Sequence, residues 1–288
     1  MSLHINRLAI VGTGLIGGSL ASVLKQAEVV DEIIGLGRRR ETLEQARSLG
    51  LIDTIADSPA QLHEADVIVL ATPVAQMASV LEAIAPHLGG KTIVTDAGST
   101  KGDVIAAARR ALGQNFPRFV AGHPIAGAES NGPQAARADL FVGRNVVLCP
   151  EAETDSAALA QVTALWQGTG AQVVRMDAAR HDRIFAAVSH LPHLAAFALV
   201  DDLADRSEAE DFFRFAASGF RDFTRIAGSS PEMWRDIALA NRTALLAELS
   251  AYRSKLDEIA AALEKGDAAA LERIFTRASK ARRDWEQN

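Results

Sequence analysis

One cysteine, Cys149, stands in a chain of 288 residues, so an internal disulfide framework is excluded and a reducing, cytoplasmic setting is expected. Positive charge is in deficit. Thirty Lys and Arg against 36 Asp and Glu leave a net charge of −6, which argues against nucleic acid as a general partner. No apolar run reaches the roughly 18 residues that a membrane helix needs, so no membrane partner is expected. The N-terminal MSLHINR opens straight into a strand pattern, with no visible signal peptide. Low-complexity segments and short-period repeats are missing too. What remains is ordinary for a globular protein: 48% hydrophobic and 23% charged residues, and enough length for two domains.

The first half alternates short apolar runs with amphipathic segments. RLAIV (7–11), EIIGL (32–36), DVIVLATP (66–73), KTIVTDAGS (91–99), FVAGHP (119–124), NVVLCP (145–150) and AQVVRMD (171–177) read as strands with helices between them. Such alternation implies βαβ units and a mainly parallel sheet, with ligands bound beyond the carboxyl ends of the strands. After Asp177 the strand pattern stops, and ARHDRIFAAVSHLPHLAAFALVDDLAD reads as one long apolar helical stretch. Farther on, Leu245, Leu249, Tyr252, Leu256, Ile259 and Leu263 alternate spacings of four and three, a coiled-coil-like seam. Gly266 should stop that helix and Asp267 cap the next. The expected fold class is therefore α/β, a Rossmann-type mainly parallel sheet domain over 1–177 followed by an all-helical dimerisation domain over 178–288. The apolar surface of the second part points to a homodimer.

The string GTGLIGGS supplies Gly12, Gly14 and Gly17 in a G-x-G-x-x-G pattern. It follows a strand and opens a helix through Leu15 and Ile16, which is the context that gives the motif meaning. Gly12 allows the tight turn, Gly14 lets backbone N–H groups approach a pyrophosphate, and Gly17 lets helix and strand pack closely. About 20 residues on, where NAD-binding chains carry an acid for the ribose 2′-hydroxyl, this chain has Gly37, Arg38 and Arg39. Removing the acid and adding two guanidinium groups favours a 2′-phosphate, so the expected cofactor is NADP in preference to NAD. Arg40 is expected to pair only with surface acids.

AGHPIAGAES (121–130) sets His123 just past a strand at the carboxyl edge, where a neutral imidazole can accept a proton at pH 7. Ser99, in DAGSTKG, could orient that ring or contact the nicotinamide. His190 and His193 are three apart, but Pro192 disturbs their common face and no further ligand completes a metal site, so no metal is expected.

Six ordered blocks, GTGLIGGS, ATPV (71–74), DAGSTKG (96–102), GHPIAGAES (122–130), HDRIFAAVSHLPH (181–193) and GFRDFTRIAGSSPEMWRDI (219–237), make the chain resemble the prephenate and arogenate dehydrogenases of tyrosine biosynthesis. The resemblance implies a Rossmann domain, a helical dimerisation domain, and oxidative decarboxylation of prephenate or arogenate with hydride transfer to NADP or NAD. It implies that His123 takes the proton of the ring hydroxyl and that Ser99 partners His123 and the cofactor. It further implies that Arg225 clamps a substrate carboxylate and that His193 helps position the substrate. Glu129 and Asp222 would be polar neighbours of the cleft, and Thr72 and Pro73 would border the nicotinamide ribose. Gly37-Arg38-Arg39 departs from the many relatives with an acid there. No βαββαβ pattern follows the helical part, so inhibition by tyrosine would have to be competitive. Two other readings are another two-domain Rossmann and helical NADP-dependent dehydrogenase, or an NADP-binding protein without turnover. Relatives of the first kind that act on 3-hydroxy acids use a lysine early in the helical domain, where HDRIFAAVSHLPH has none.

Overall fold

The structure, a computed structural model, describes residues 3–128 and 130–286, so Glu129 lies outside the described residues. Eight strands form one sheet: β1 (Ile5–Val11), β2 (Val30–Leu36), β3 (Thr54–Ile55), β4 (Val67–Leu70), β5 (Ile93–Asp96), β6 (Phe119–Pro124), β7 (Asn145–Cys149) and β8 (Gln172–Arg175). Their order is β3-β2-β1-β4-β5-β6-β7-β8. All neighbours are parallel except β6 and β7. β3 has two residues and pairs only through Ile34 and Gly35, too short to leave a pattern in the sequence.

The central strands are apolar on both faces because both are covered. β4 reads VIVL, with every residue buried. One core joins β1 and β4 to α1 (Leu15–Gln26), α2 (Arg40–Ser48) and α5 (Ser156–Gln167). The other lies under α3 (Val74–Ile84) and α4 (Gly102–Leu112). Chain order reverses between β1 and β4, opening the crevice in which such sheets bind ligands. The glycine turn sits there, and two of its glycines have no room to spare. Gly12 has φ +97°, and a Cβ on it would meet the Ala71 carbonyl oxygen at 2.6 Å; one on Gly17 would meet the Gly12 carbonyl oxygen at 2.1 Å.

Asp177 caps the next helix by accepting the Arg180 N–H at 2.7 Å. The helix runs as α6 (Ala178–Phe185), a π-helical turn (Ala186–His190) and α7 (Leu191–Ala204). This corrects the expectation that no segment is long and apolar enough to cross a membrane: Ala178–Ala204 meets both criteria over 27 residues. The polar residues that break its apolar run in sequence, His190 and His193 among them, are engaged by other side chains and carbonyls of the fold. After α8 (Ala209–Phe215) and α9 (Ser218–Thr224), a 3-10 turn (Arg225–Gly228) leads to α10 (Pro231–Ala240). Trp234 and Ile237 of α10 bury themselves against Val74 of α3, which fastens this helical segment to the sheet domain.

The chain divides into two compact units, residues 1–242 and 243–288. The second contains α11 (Arg242–Glu264) apart from its first residue, and α12 (Ala268–Glu286). Gly266, at φ +63°, ends the first of these, and Asp267 accepts the Ala270 N–H at 2.9 Å, as the sequence suggests. Within this unit Leu256, Leu263, Phe275 and Trp285 are exposed.

Candidate active site

His123 lies within β6, not beyond it. β6 pairs with β5 only at Phe119 and Val120, then continues alongside β7, with His123 opposite Val147. That overhang carries the imidazole past the carboxyl end of β5 on the face covered by α6, against the Phe185 ring at 4.9 Å. Burial is the main reason that its pKa is held well below the usual histidine value; His181, Lys101 and His190 add to the effect. The ring is therefore neutral at pH 7, as a proton acceptor must be.

Its neighbour was missed from the sequence. His123 Nδ1 lies 2.9 Å from Nε2 of His181, which is fully buried. His181 Nδ1 lies 2.8 Å from Asp182 Oδ1. Asp182 also accepts the N–H of Lys101 at 2.9 Å and of Gly102 at 2.8 Å, the first amides of α4. Burial opposes its ionisation, but the His181 and backbone hydrogen bonds outweigh this and hold its pKa below the usual carboxylate range. The adjacent His-Asp of HDRIFAAVSHLPH was the available signal, yet only packing brings it to a strand 58 residues away.

Ser99, in the loop between β5 and α4, makes no hydrogen bond to His123 among the described residues; the imidazole is oriented by His181 instead. Beside it is a second unrecognised feature. Lys101 is fully buried, its ammonium paired with the fully buried Asp96 and donating to the Gly122 carbonyl at 2.6 Å. Asp96 in turn accepts the N–H groups of Gly98 at 2.8 Å and Gly122 at 3.0 Å. The loop carrying Ser99 and the strand carrying His123 are thus tied by one buried ion pair.

A run of contacts links His123 to the substrate residues expected in the helical segment. Asn241 donates to the Asp182 carbonyl at 2.7 Å and lies 3.1 Å from His190 Nδ1. Trp234 stands edge-on to His190 and stacks on His193 with ring centroids 3.5 Å apart. His193 donates from Nδ1 to the Ser189 carbonyl at 2.9 Å. Burial lowers its pKa first, and the nearby Arg225 guanidinium adds to that. The buried Trp234 indole N–H has no partner among the described residues, a donor that an anion could satisfy. Arg225 opens the 3-10 turn and Asp222 lies on α9, both exposed.

The nucleotide crevice fits a dinucleotide. Gly14 faces open space, with nothing within 4 Å of where a Cβ would be, at the N-terminus of α1, where free amides and the helix dipole favour an anion. Leu15 is buried and Ile16 partly so, behind that turn. Thr72 and Pro73 follow β4 across the crevice, with Pro73 at the N-cap of α3. At the far end, a Cβ on Gly37 would make only ordinary contact with Leu43, so the glycine is not forced by packing. Arg40 pairs with Glu44 and Asp57. Arg38 and Arg39 are exposed and hold no ion pair among the described residues.

Two family models match the chain: prephenate dehydrogenase, nucleotide-binding domain, over residues 20–175, and prephenate dehydrogenase, dimerization domain, over 177–277. The chain is 39% identical over 275 residues to the prephenate dehydrogenase of Bacillus subtilis (strain 168), covering 93% of this chain and 73% of that protein. It superposes with a TM-score of 0.91 and 34% identity, over 100% of both chains, on the crystal structure of prephenate dehydrogenase from A. aeolicus in complex with hydroxyphenyl propionate and NAD+. The arogenate dehydrogenase of Synechocystis gives a TM-score of 0.82 at 32% identity, covering 97% of this chain and 99% of that one. Sheet order, glycine turn, half-buried histidine and these likenesses over nearly the whole length agree: the chain belongs to the prephenate dehydrogenase family.

Proposed function

We propose that this protein oxidatively decarboxylates prephenate, arogenate or both, passing the hydride to NADP in preference to NAD, as a homodimer. The observation that carries the reading is a neutral, half-buried His123 held at the carboxyl edge of the sheet by His181, beside a dinucleotide crevice. His123 accepts the proton of the ring hydroxyl while the carbon bearing it loses a hydride. The bound nicotinamide supplies the acceptor for that hydride. The new ring ketone takes up the electron pair of the breaking carbon–carboxylate bond, CO₂ leaves, and the ring becomes a phenolate. His123 returns its proton to that oxygen. Arg225 binds one substrate carboxylate; His193 and the unpartnered Trp234 indole N–H hold the side chain. Ser99 contacts the nicotinamide side, with Thr72 and Pro73 at its ribose and Asp222 at the rim.

NADP preference rests on Gly37 and on Arg38 and Arg39, while Arg40 is occupied by Glu44 and Asp57. A charged hydrogen bond contributes roughly 1.5–3 kcal/mol, so loss of one arginine should weaken NADP binding about tenfold or more. The A. aeolicus relative was crystallised with NAD+, so the preference needs a direct comparison. We read residues 1–177 as the nucleotide-binding part and 178–288 as the part that binds substrate and a second copy. Steady-state kinetics with prephenate and with arogenate, each against NADP and NAD, tests the whole reading by the appearance of reduced nicotinamide. No turnover with either substrate would refute the activity, and a higher kcat/KM for NAD would refute the phosphate role of Arg38 and Arg39.

A further inference from the structure

We propose that His181 and Asp182 are positioning residues that lock one tautomer of His123 and so decide which of its nitrogens is the base; this rests on the reading of His123 as proton acceptor. The assignment follows from counting donors. Asp182 accepts two backbone amides at the start of α4, at 2.9 and 2.8 Å, and an ionised carboxylate has no proton to donate. The 2.8 Å contact from its Oδ1 to His181 Nδ1 therefore needs the proton on Nδ1. A neutral imidazole carries one N–H, so His181 Nε2 is a lone pair. The 2.9 Å contact between that Nε2 and His123 Nδ1 then puts a proton on His123 Nδ1. His123 Nε2 is left as the basic nitrogen.

The competing state, with His181 as a cation, would reverse the last step. His123 Nδ1 would then accept, its Nε2 would carry the proton, and no base would remain. Burial disfavours that cation: His181 is fully buried and the Lys101 ammonium opposes a second charge, although Asp182 pulls the other way. Phe185 keeps both rings in register, with its centroid 4.9 Å from His123 and 4.5 Å from His181. The close approach is also built in at Gly102, where a Cβ would meet Asp182 Oδ2 at 2.9 Å. Neither His181 nor Asp182 need touch the substrate.

The test is tautomer-resolved NMR of the full-length protein labelled with ¹⁵N-histidine, at neutral pH, with His123 assigned through loss of its signals in His123→Asn. The expected result is a pyrrole-type Nδ1 and a pyridine-type Nε2 on both His123 and His181. A pyridine-type Nδ1 on His123 overturns the proposal. Asp182→Asn can turn its amide N–H toward His181, which would reverse both tautomers. Its kcat should fall by roughly 10²-fold or more, the scale of a lost general base, with KM little changed. Asp182→Glu should recover part of that loss by restoring a carboxylate. An Asp182→Asn protein that melts like the parent yet keeps its tautomers and its kcat also sinks the idea. If Asp182→Asn fails to fold, the spectrum of the unmodified protein still decides. Unchanged turnover in His123→Asn would instead remove the base assignment, whatever the tautomer proves to be.

Discussion

At the scale of single residues, chemistry depends on what surrounds a side chain. His123 and His193 are both neutral imidazoles, yet one points its bonded nitrogen at His181 and the other at a carbonyl. Their substitutions should therefore differ in kind from that of a charged clamp. His123→Asn is expected to lower kcat by roughly 10²–10⁴ with little change in KM, as loss of a general base does. Arg225→Ala should mainly raise the KM for prephenate, since a carboxylate clamp contributes to substrate and transition state alike. A normal KM in the second variant would confine Arg225 to a structural role.

At the scale of elements, the site is assembled by three contacts between pieces distant in sequence. β6 overhangs β5, α6 presents His181, and the start of α4 is bound by Asp182. The pair Lys101–Asp96 holds the β5–α4 loop to β6, entirely out of water. Removing one member of a buried pair strands the other charge, at a cost of about 3–5 kcal/mol. Lys101→Met is accordingly expected to lower the unfolding free energy measured by urea titration by that amount and to depress activity through displacement of both Ser99 and His123. An unfolding free energy within about 1 kcal/mol of the parent would mean that Asp96 finds other compensation.

At the scale of the whole molecule, the buried histidines set how stability depends on pH. Burial lowers the pKa values of His123, His181 and His193, and takes His190 down to about 4. In the unfolded chain the same groups bind protons near pH 6.5. Below that pH the unfolded state holds more protons than the folded one, so stability falls as pH falls toward the lowered values. The thermal midpoint should thus begin to drop below about pH 6.5, before most carboxylates titrate. A midpoint flat down to about pH 5 would contradict this. The exposed Leu256, Leu263, Phe275 and Trp285 of the second unit are the surface expected to meet a second copy. Light scattering showing a monomer at micromolar concentration would remove that expectation.

Much of this was legible from the chain alone because it is written in short-range signals. The alternation of apolar runs and amphipathic stretches specifies strands and helices, and the glycine turn and Gly266 carry their meaning within a few residues. The pairing of Arg40 with a surface acid could be expected on local grounds, since its partner Glu44 is one helical turn away. The two-residue β3 left no mark, because its pairing depends on β2 and not on its own pattern. The partners of His123, the burial of Lys101 and the unpartnered Trp234 were settled by tertiary structure only. A hydrogen bond across 58 residues, or the loss of water around an ammonium, belongs to the packed chain and has no periodicity by which a sequence could announce it.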